Sequence, residues 1–513
     1  MYSLKISPSI LEHRLDSEFY NPRGLEATKL LTINTKIMPL SALVDPVRTI
    51  TNGVRGPDWQ ETKYKLIRLQ DCGNWQVNHS EAASISFEQF EENRRCRLKV
   101  NDIVVAIGGY VGNAAVLTED CFAVIGQHSA ILPSVEGQSI DSRFLLAYLN
   151  SNIAEAIFSR YVSGTVQAGI NLEDLRDLPA PVIDRIAQIY IGDKVRQAEQ
   201  LRGWAKTTVN SLQNEFIGMY KAINNYESYK RISYPVKPNR LFEVLTPASY
   251  PPHIDKYFEE NLFVTLGSIC SDIYIGTTLP SLENEIGVLQ ATSRSCSGLF
   301  FKQPMNIVEK KGKVNPLVQK DIILTNAAHD KNYIGKDVTF NHSETYILPS
   351  AKVVVIRLNS SDIPASYVHS YLMSDAGYTQ WQAIVRGISA GIHPGDVARI
   401  KIPLPADQIY LASIAESADQ AYIQAGLAQE VSRLLTIAAK NLVEALIEGL
   451  LTEDQLLQAQ QALDDGDTSF DQAILSKLSL DGYAVEGAKP LFSDLDELYR
   501  LLESVQAAEE GNI

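Results

Sequence analysis

Histidines, cysteines and paired carboxylates are the side chains that most often carry chemistry, and in this chain their spacing points away from it. The histidines His13, His79, His128, His253, His329, His342, His369 and His393 are scattered, and none stands in an H-E-x-x-H pattern. His128 and His393 are read either as facing a binding groove or as ordinary surface or satisfied side chains. Cys72, Cys96, Cys121, Cys270 and Cys296 are odd in number and form no C-x-x-C, so neither a disulfide framework nor a zinc knuckle is expected. Asp58 and Glu61 in PDWQETK lie too close together for the separated carboxylates of a metal-dependent nuclease. SYPPH (Ser249–His253) has the prolines of an adenine methyltransferase N-P-P-Y motif but not its flanks. GGYVG (Gly108–Gly112) lacks the strand-to-helix setting of a cofactor loop, and no G-x-x-x-x-G-K-[ST] occurs. The expectation is a non-enzyme with no catalytic residues, no metal site and no cofactor.

What remains is charge. NRRCRLK (Asn93–Lys99) and EKKGK (Glu309–Lys313) could meet phosphates or could be solvated surface. The formal charge of -15 opposes an anionic partner, but residues 451–513 hold 14 acidic and 3 basic side chains and carry most of it. Residues 186–232 and 233–405 are slightly positive. The acidic segment is itself open to three readings: a partner-binding element, a cover for a basic groove, or a solubilising tail. At 513 residues, 45% hydrophobic and 21% charged, two or three domains are expected. No apolar run is long enough for a membrane span and the first residues lack an apolar signal region, so a cytoplasmic protein without a membrane partner is expected.

The elements that must position any binding residues are written twice. LKVNDIVVAIGG (Leu98–Gly109) matches LVQKDIILTNAA (Leu317–Ala328), with Asp102 facing Asp321. HSAILPS (His128–Ser134) echoes ETYILPS (Glu344–Ser350). AYLNSNIAEAIFSRYVSG (Ala147–Gly164) matches SYLMSDAGYTQWQAIVRG (Ser370–Gly387), and AGI follows in both, at Ala168–Ile170 and Ala390–Ile392. NLEDLRDLPAP and HPGDVARIKIP then align without a gap. Similar segments in the same order predict a duplicated unit. DIVVAI and DIILTN read as strands, GGYVGNAAVL as a glycine-rich turn between strands, and Leu145, Leu149, Ile153, Ile157 and Tyr161 as one helical face. Each unit is α+β.

A long helix follows each unit, over residues 186–226 and 408–450. Ile191, Val195, Ala198, Leu201, Ala205, Val209, Leu212 and Phe216 form one stripe. Ile414, Ala418, Ala421, Ala425, Ala428, Val431, Leu434, Ala438, Leu442 and Ala445 form the other. Such helices would be roughly 60–65 Å long. They can bury their stripes by pairing as an antiparallel coiled coil, or each against its own domain. SYPVKPNR (Ser233–Arg240) marks the switch into the second half.

With EHRLDSEFYNP near the start, VNDIVVAIGGYVGNAAVL, GQHSAILPS and the second-half echoes, the order resembles the DNA specificity subunit of type I restriction-modification systems. The likeness covers roughly residues 10–450. It implies target-recognition domains at 1–185 and 233–405 and spacer helices at 186–232 and 406–450; outside the likeness, residues 451–513 read from their own charge and pattern as an acidic C-terminal helical extension. It also implies a non-catalytic subunit of a restriction-modification or phage-defence complex that reads a bipartite duplex DNA target. Its partners would be double-stranded DNA and methyltransferase (modification) subunits, with room for a restriction or translocase subunit. The alternative is a scaffold of a defence complex that recognises a protein or altered DNA.

On that resemblance, base and phosphate contacts are expected from arginine, lysine, asparagine, glutamine and their polar neighbours. In the first unit these are Arg48, Asn52 and Arg55 in VRTITNGVRGPD, Tyr110 and Asn113 in the glycine-rich turn, and Gln127 and His128 at the GQH bend. In the second they are Thr277, Thr278, Ser293, Arg294, Lys331 and Asn332. Simple loop solvation is the competing reading at each position.

Overall fold

The run Ile103–Ala106 is buried at every position, as a strand covered on both faces must be. Around it the chain builds the first of two bodies in a computed structural model. The structure describes residues 16–134, 140–163, 168–219, 249–282, 287–302, 314–387 and 390–510, together with Leu11, Arg14, Val236, Pro238 and scattered positions between 304 and 312. Contacts divide the chain into unit 1, Met1–Gln200 with Val431–Ile513, and unit 2, Leu201–Glu430. SYPVKPNR lies almost wholly outside the described residues, as do the last residues expected in the first long helix.

Unit 1 opens with α1 (Pro22–Asn34), β1 (Lys36–Pro39), β2 (Thr51–Asn52), β3 (Lys65–Ile67), β4 (Cys72–Gly73), β5 (Gln76–Val77) and α2 (Phe87–Glu92). Strands β6 (Ile103–Ala106), β7 (Ala114–Val116), β8 (Ala123–Ile125) and β9 (Ser129–Leu132) follow, then α3 (Ser142–Leu149), α4 (Asn152–Tyr161), α5 (Leu172–Asp177) and β10 (Pro179–Val182). The main sheet has the order β2-β9-β6-β7-β5-β4, β3 pairs in parallel with β8, and β1 pairs antiparallel with β10. The single helix expected over α3 and α4 is broken at Asn150. Asn150 takes the backbone N–H of Ala114 and donates to its carbonyl, both at 3.1 Å, and Ser151 then caps α4. The face Leu145, Leu149, Ile153, Ile157, Tyr161 is buried across the break.

The first long helix, α6 (Arg185–Met219), begins in unit 1 and ends in unit 2. Unit 2 continues with α7 (Pro252–Glu260), β11 (Phe263–Thr265), β12 (Cys270–Ile275), β13 (Val288–Ala291), β14 (Ile307–Val308), β15 (Ile322–Thr325), β16 (Val338–Phe340), β17 (Ile347–Pro349) and β18 (Val353–Leu358). It closes with α8 (Ala365–Met373), α9 (Asp375–Ile384), α10 (Pro394–Val397) and β19 (Lys401–Pro403). Its sheets are β12-β18-β15-β16, β14-β13-β17 and β11-β19, and β13 lies parallel to β17 as β3 lies parallel to β8.

The duplication therefore holds for the paired strands β2/β12, β9/β18, β6/β15, β7/β16, β3/β13 and β8/β17, while β4 and β5 beside β7 and β14 beside β13 have no counterpart among the described residues, and it needs one correction. The HSAILPS/ETYILPS echo does not join equivalent strands. β9 pairs with β6 (Ile103↔Leu132) as β18 pairs with β15 (Ile322↔Ile356), so SAIL corresponds to VVVI, and ILP in β17 corresponds to AVI in β8. Register is fixed by ladder hydrogen bonds, and the shared letters are incidental.

The second long helix is interrupted. α11 (Gln408–Ser413) ends at Ile414, and α12 (Ala415–Ile447) carries the chain back into unit 1. Its fully buried stripe includes Ala415, Ala418, Tyr422, Ala425, Ala428, Leu435, Ala438, Leu442 and Ala445. Ile414, Ala421, Val431 and Leu434 are only partly covered. Within unit 2, α6 and α12 pack together, with Gln213 hydrogen-bonded to the Tyr422 hydroxyl. In unit 2 the C-terminal part of α6 meets the beginning of this segment, where Tyr410 donates to Glu215 at 2.7 Å, which is the antiparallel sense.

The acidic C-terminal residues form α13 (Glu453–Asp464), α14 (Ser469–Leu475), the hairpin β20 (Leu478–Ser479) and β21 (Gly482–Tyr483), and α15 (Leu495–Glu510), all in unit 1. α15 begins at Leu495, with Leu491 and Phe492 buried ahead of it.

Candidate nucleic-acid interface

One end of each main sheet collects nearly every expected contact residue. In unit 1, Ala106 on β6 faces Ser129 on β9, so the turn after β6 and the GQH bend before β9 emerge together. Asn52 on β2 faces Ala130, which brings residues 53–55 to the same end. Ile67 on β3 faces Ile125, adding Arg68–Gln70. In unit 2 the same relations hold. Thr325 faces Val353, Ile275 faces Val354 and Ala291 faces Pro349. That end therefore gathers Thr277 and Thr278, Ser293 and Arg294, the turn after β15 with Lys331 and Asn332, and the Ser350–Lys352 bend.

Glycine makes these crossings possible. A Cβ on Gly53 would overlap the Ile125 carbonyl, and a Cβ on Gly276 would overlap the Pro349 carbonyl. The next N–H completes each crossing: Val54 to Ile125 O at 2.8 Å and Thr277 to Pro349 O at 3.0 Å. Arg55 and Thr278 then leave the frame at equivalent positions, both exposed. The repeated AGI segments act as backbone latches on the same end. Gly109 N donates to Ala168 O at 3.2 Å and Ile170 N to Ile107 O at 3.0 Å. In unit 2, Ala328 N donates to Ala390 O at 2.9 Å and Ile392 N to Asn326 O at 3.0 Å. GTVQ, between the strand-like Ser163 and the first latch, lies outside the described residues.

The side chains on this shared frame differ between units. Gln127 and His128 are exposed at the first bend, with their Nε2 atoms 3.0 Å apart; Ala351 and Lys352 stand there in unit 2. Ser293 and Arg294 are exposed on the short turn after β13, where unit 1 has Leu69 and Gln70. Tyr110 and Asn113 are exposed in the turn between β6 and β7; Lys331 and Asn332 are exposed in the longer turn between β15 and β16. Sequence reading missed Trp59 and Arg68 in unit 1. Trp59 is half-exposed, the Arg68 guanidinium lies 5.5 Å from its ring centre, and the Arg68 stem passes beside Gly126. It also missed Tyr333 in unit 2, because the longer turn hides its match to Tyr110.

Arg48 does not join this group. It precedes β2 at the far end of the sheet. There it donates to Asp102 Oδ1 at 2.8 Å and Oδ2 at 2.6 Å, and to Arg97 O at 2.8 Å. Asp102 is fully buried, so Arg48 is committed to neutralising it.

Burial pushes the thiols of Cys72, Cys270 and Cys296 up to about 12 and that of Cys121 to about 11, far from a reactive thiolate. Among the described residues no cluster of three or more His, Cys, Asp or Glu side chains could hold a metal ion. No described helix is long and apolar enough to cross a membrane.

No family model matches the chain. Among curated proteins, the type I restriction enzyme EcoBI specificity subunit of Escherichia coli is 27% identical over 178 residues, covering 34% of this chain and 36% of the relative. The match thus spans about a third of that protein's length. Among solved structures, the type I restriction-modification S subunit from M. genitalium aligns over 84% of this chain and 96% of its own, with 15% identity and a TM-score of 0.40. The HsdS subunit from Thermoanaerobacter tengcongensis aligns over 82% and 98%, with 14% identity and a TM-score of 0.27. Over that third, this chain is similar in sequence to a type I restriction enzyme specificity subunit.

Proposed function

We propose that this chain is a non-catalytic DNA-specificity subunit that reads a bipartite duplex target, one half with each unit, and docks methyltransferase subunits. The observation that carries the reading is the pair of equivalent sheet ends. Their strands pair in the same register at that end, while the side chains on them differ: Arg55 against Thr278, Gln127 and His128 against Ala351 and Lys352, Gln70 against Arg294. A common scaffold bearing different polar side chains suits two different half-sites. The contacts proposed are Asn52, Arg55, Tyr110, Asn113, Gln127 and His128 in unit 1, and Thr277, Thr278, Ser293, Arg294, Lys331 and Asn332 in unit 2. Because both units belong to one chain, engagement of the first makes the second step intramolecular. The proposal extends to α6 and α12 as the spacer that sets the gap between half-sites, and to a cytoplasmic complex in which a translocase subunit can also assemble.

The test is selection from a random duplex library with the purified chain, alone and with its methyltransferase. Enrichment of a split motif, with affinity falling steeply as salt rises, is the expected result. Absence of any enriched motif with the methyltransferase present would remove the specificity reading and favour a scaffold.

A further inference from the structure

The turn after the central strand is the place where the two reading ends look most different in sequence. It runs from residue 107 to 113 in unit 1 and from 326 to 337 in unit 2, five residues longer. Pairing on either side fixes the correspondence: Val105↔Ala114 in the first unit and Leu324↔Val338 in the second. Within the longer turn one short pattern survives, Tyr110-Val111-Gly112 against Tyr333-Ile334-Gly335.

Both glycines have left-handed backbones, φ 96° at Gly112 and 75° at Gly335. Both lie flat against an aromatic ring of the helix behind. A Cβ on Gly112 would stand 3.0 Å from the Phe158 ring on α4, and one on Gly335 would overlap Trp381 on α9. Phe158 and Trp381 are themselves equivalent in the repeat. The extra residues of unit 2 are braced on the same helix. Tyr378 donates to Asn332 O at 3.0 Å, and Gln382 donates to Lys331 O at 3.0 Å and Ile334 O at 2.8 Å. The outcome is the same in both units: a tyrosine held on a fixed backbone and turned outward, 81% exposed at Tyr110 and 61% at Tyr333.

An aromatic side chain so exposed adds little to folding, and an insertion has been accommodated without displacing it. The neighbouring positions on the frame, Arg55/Thr278, Gln127/Ala351 and His128/Lys352, have diverged between units. A group shared by two surfaces that read different sequences is suited to a task that does not depend on sequence. The hydroxyl and ring of tyrosine suit phosphate oxygen and sugar respectively. We propose that Tyr110 and Tyr333 are matched anchors for the DNA sugar–phosphate backbone, one in each half-site, leaving base choice to the diverged positions beside them. This rests on the DNA-reading function proposed above.

The experiment compares full-length wild type with Tyr110→Ala, Tyr333→Ala, the double variant and the two Tyr→Phe variants. Affinity for the selected duplex and for a scrambled duplex is measured across a salt series, and the library selection is repeated. Thermal melts establish that each variant is folded. The expected result is a loss of about tenfold or more for each alanine variant on both duplexes, the size of one hydrogen bond to a charged phosphate. The enriched motif and the salt slope should be unchanged, because no counterion-releasing charge is removed. The phenylalanine variants should fall between. Unchanged affinity overturns the inference, and so does loss of base preference confined to one half-site, which would make the tyrosine a base reader. Either of these leaves the specificity reading standing if wild type still enriches a split motif. A wild-type chain that enriches none sinks both.

Discussion

Asp102 and Asp321 occupy the same place in the two units, yet each is clamped by an arginine from a different part of the chain. Arg48 reaches Asp102 from the loop before β2, whereas Arg357 reaches Asp321 from the end of β18, with both bonds at 2.8 Å. Each arginine also donates from the Nη2 that meets its aspartate to the carbonyl five residues before that aspartate, Arg97 O and Pro316 O, both at 2.8 Å. The aspartates also close the same turn, accepting from Lys99 N at 2.7 Å and Val318 N at 2.8 Å. A buried carboxylate at the foot of the central strand needs a cation, and two chain positions supply it.

Removing either arginine leaves that carboxylate buried without its partner. Arg48→Ala and Arg357→Ala should each destabilise the protein by about 3–5 kcal/mol, read as a lower urea midpoint. The Arg48 variant separates two roles. A phosphate contact would lower DNA affinity and flatten the salt slope without touching stability, and the structure predicts the reverse order of effects.

The C-terminal helices are fastened to α6 through one carboxylate. Lys194 Nζ lies 2.7 and 2.9 Å from the Asp471 oxygens, Tyr190 donates to Oδ1 at 2.6 Å, and Tyr499 donates to Oδ2. Lys194→Met should therefore cost about 3–5 kcal/mol and expose residues 451–510 to limited proteolysis. Adding Asp471→Leu should restore only part of this, because the Tyr190 hydroxyl, buried in the same cluster, loses its acceptor.

The same cluster sets an acid limit. Burial would raise the Asp471 carboxyl, but Lys194 and the two tyrosine hydroxyls outweigh it and hold the group below its ordinary value. A carboxyl depressed in the folded state contributes stability above its unfolded value of 3.8, and that contribution is lost as pH falls below it. Proteolytic release of the extension should accelerate in that range, and Asp471→Asn should remove the pH dependence.

His369 is the opposite case. It is fully buried between Phe340 and Tyr422, and burial pushes its imidazole down to about 4, opposed by the hydrogen bond to Val338 O at 2.9 Å. Between pH 6.5 and 4 the unfolded histidine binds a proton that the folded one refuses. Stability should fall by up to about 3 kcal/mol as pH drops through that window. His369→Gln keeps a donor for Val338 and should flatten the profile, measured by urea unfolding at a series of pH values.

Much of this architecture was legible because it is locally encoded. DIVVAI and DIILTN are continuous apolar runs, and the AGI repeats mark latches that depend on backbone geometry. What could not be read depends on distant partners. Arg48 looked like a surface cation until Asp102, 54 residues away, was seen beneath it. The ILPS echo joined strands that pairing keeps apart, since sequence similarity carries no register. The one-helix reading of α3 and α4 failed because Asn150 leaves the helix to bind β7. Tyr333 was hidden by five inserted residues that change spacing without moving the turn's glycine.

The most direct test of two independent readers exchanges side chains at one bend. The library selection is run with wild type and with Gln127→Ala/His128→Lys, which gives unit 1 the bend residues of unit 2. The account predicts a split motif with a fixed gap for wild type, and a change confined to one half in the variant. A single undivided motif, or changes in both halves, would contradict it.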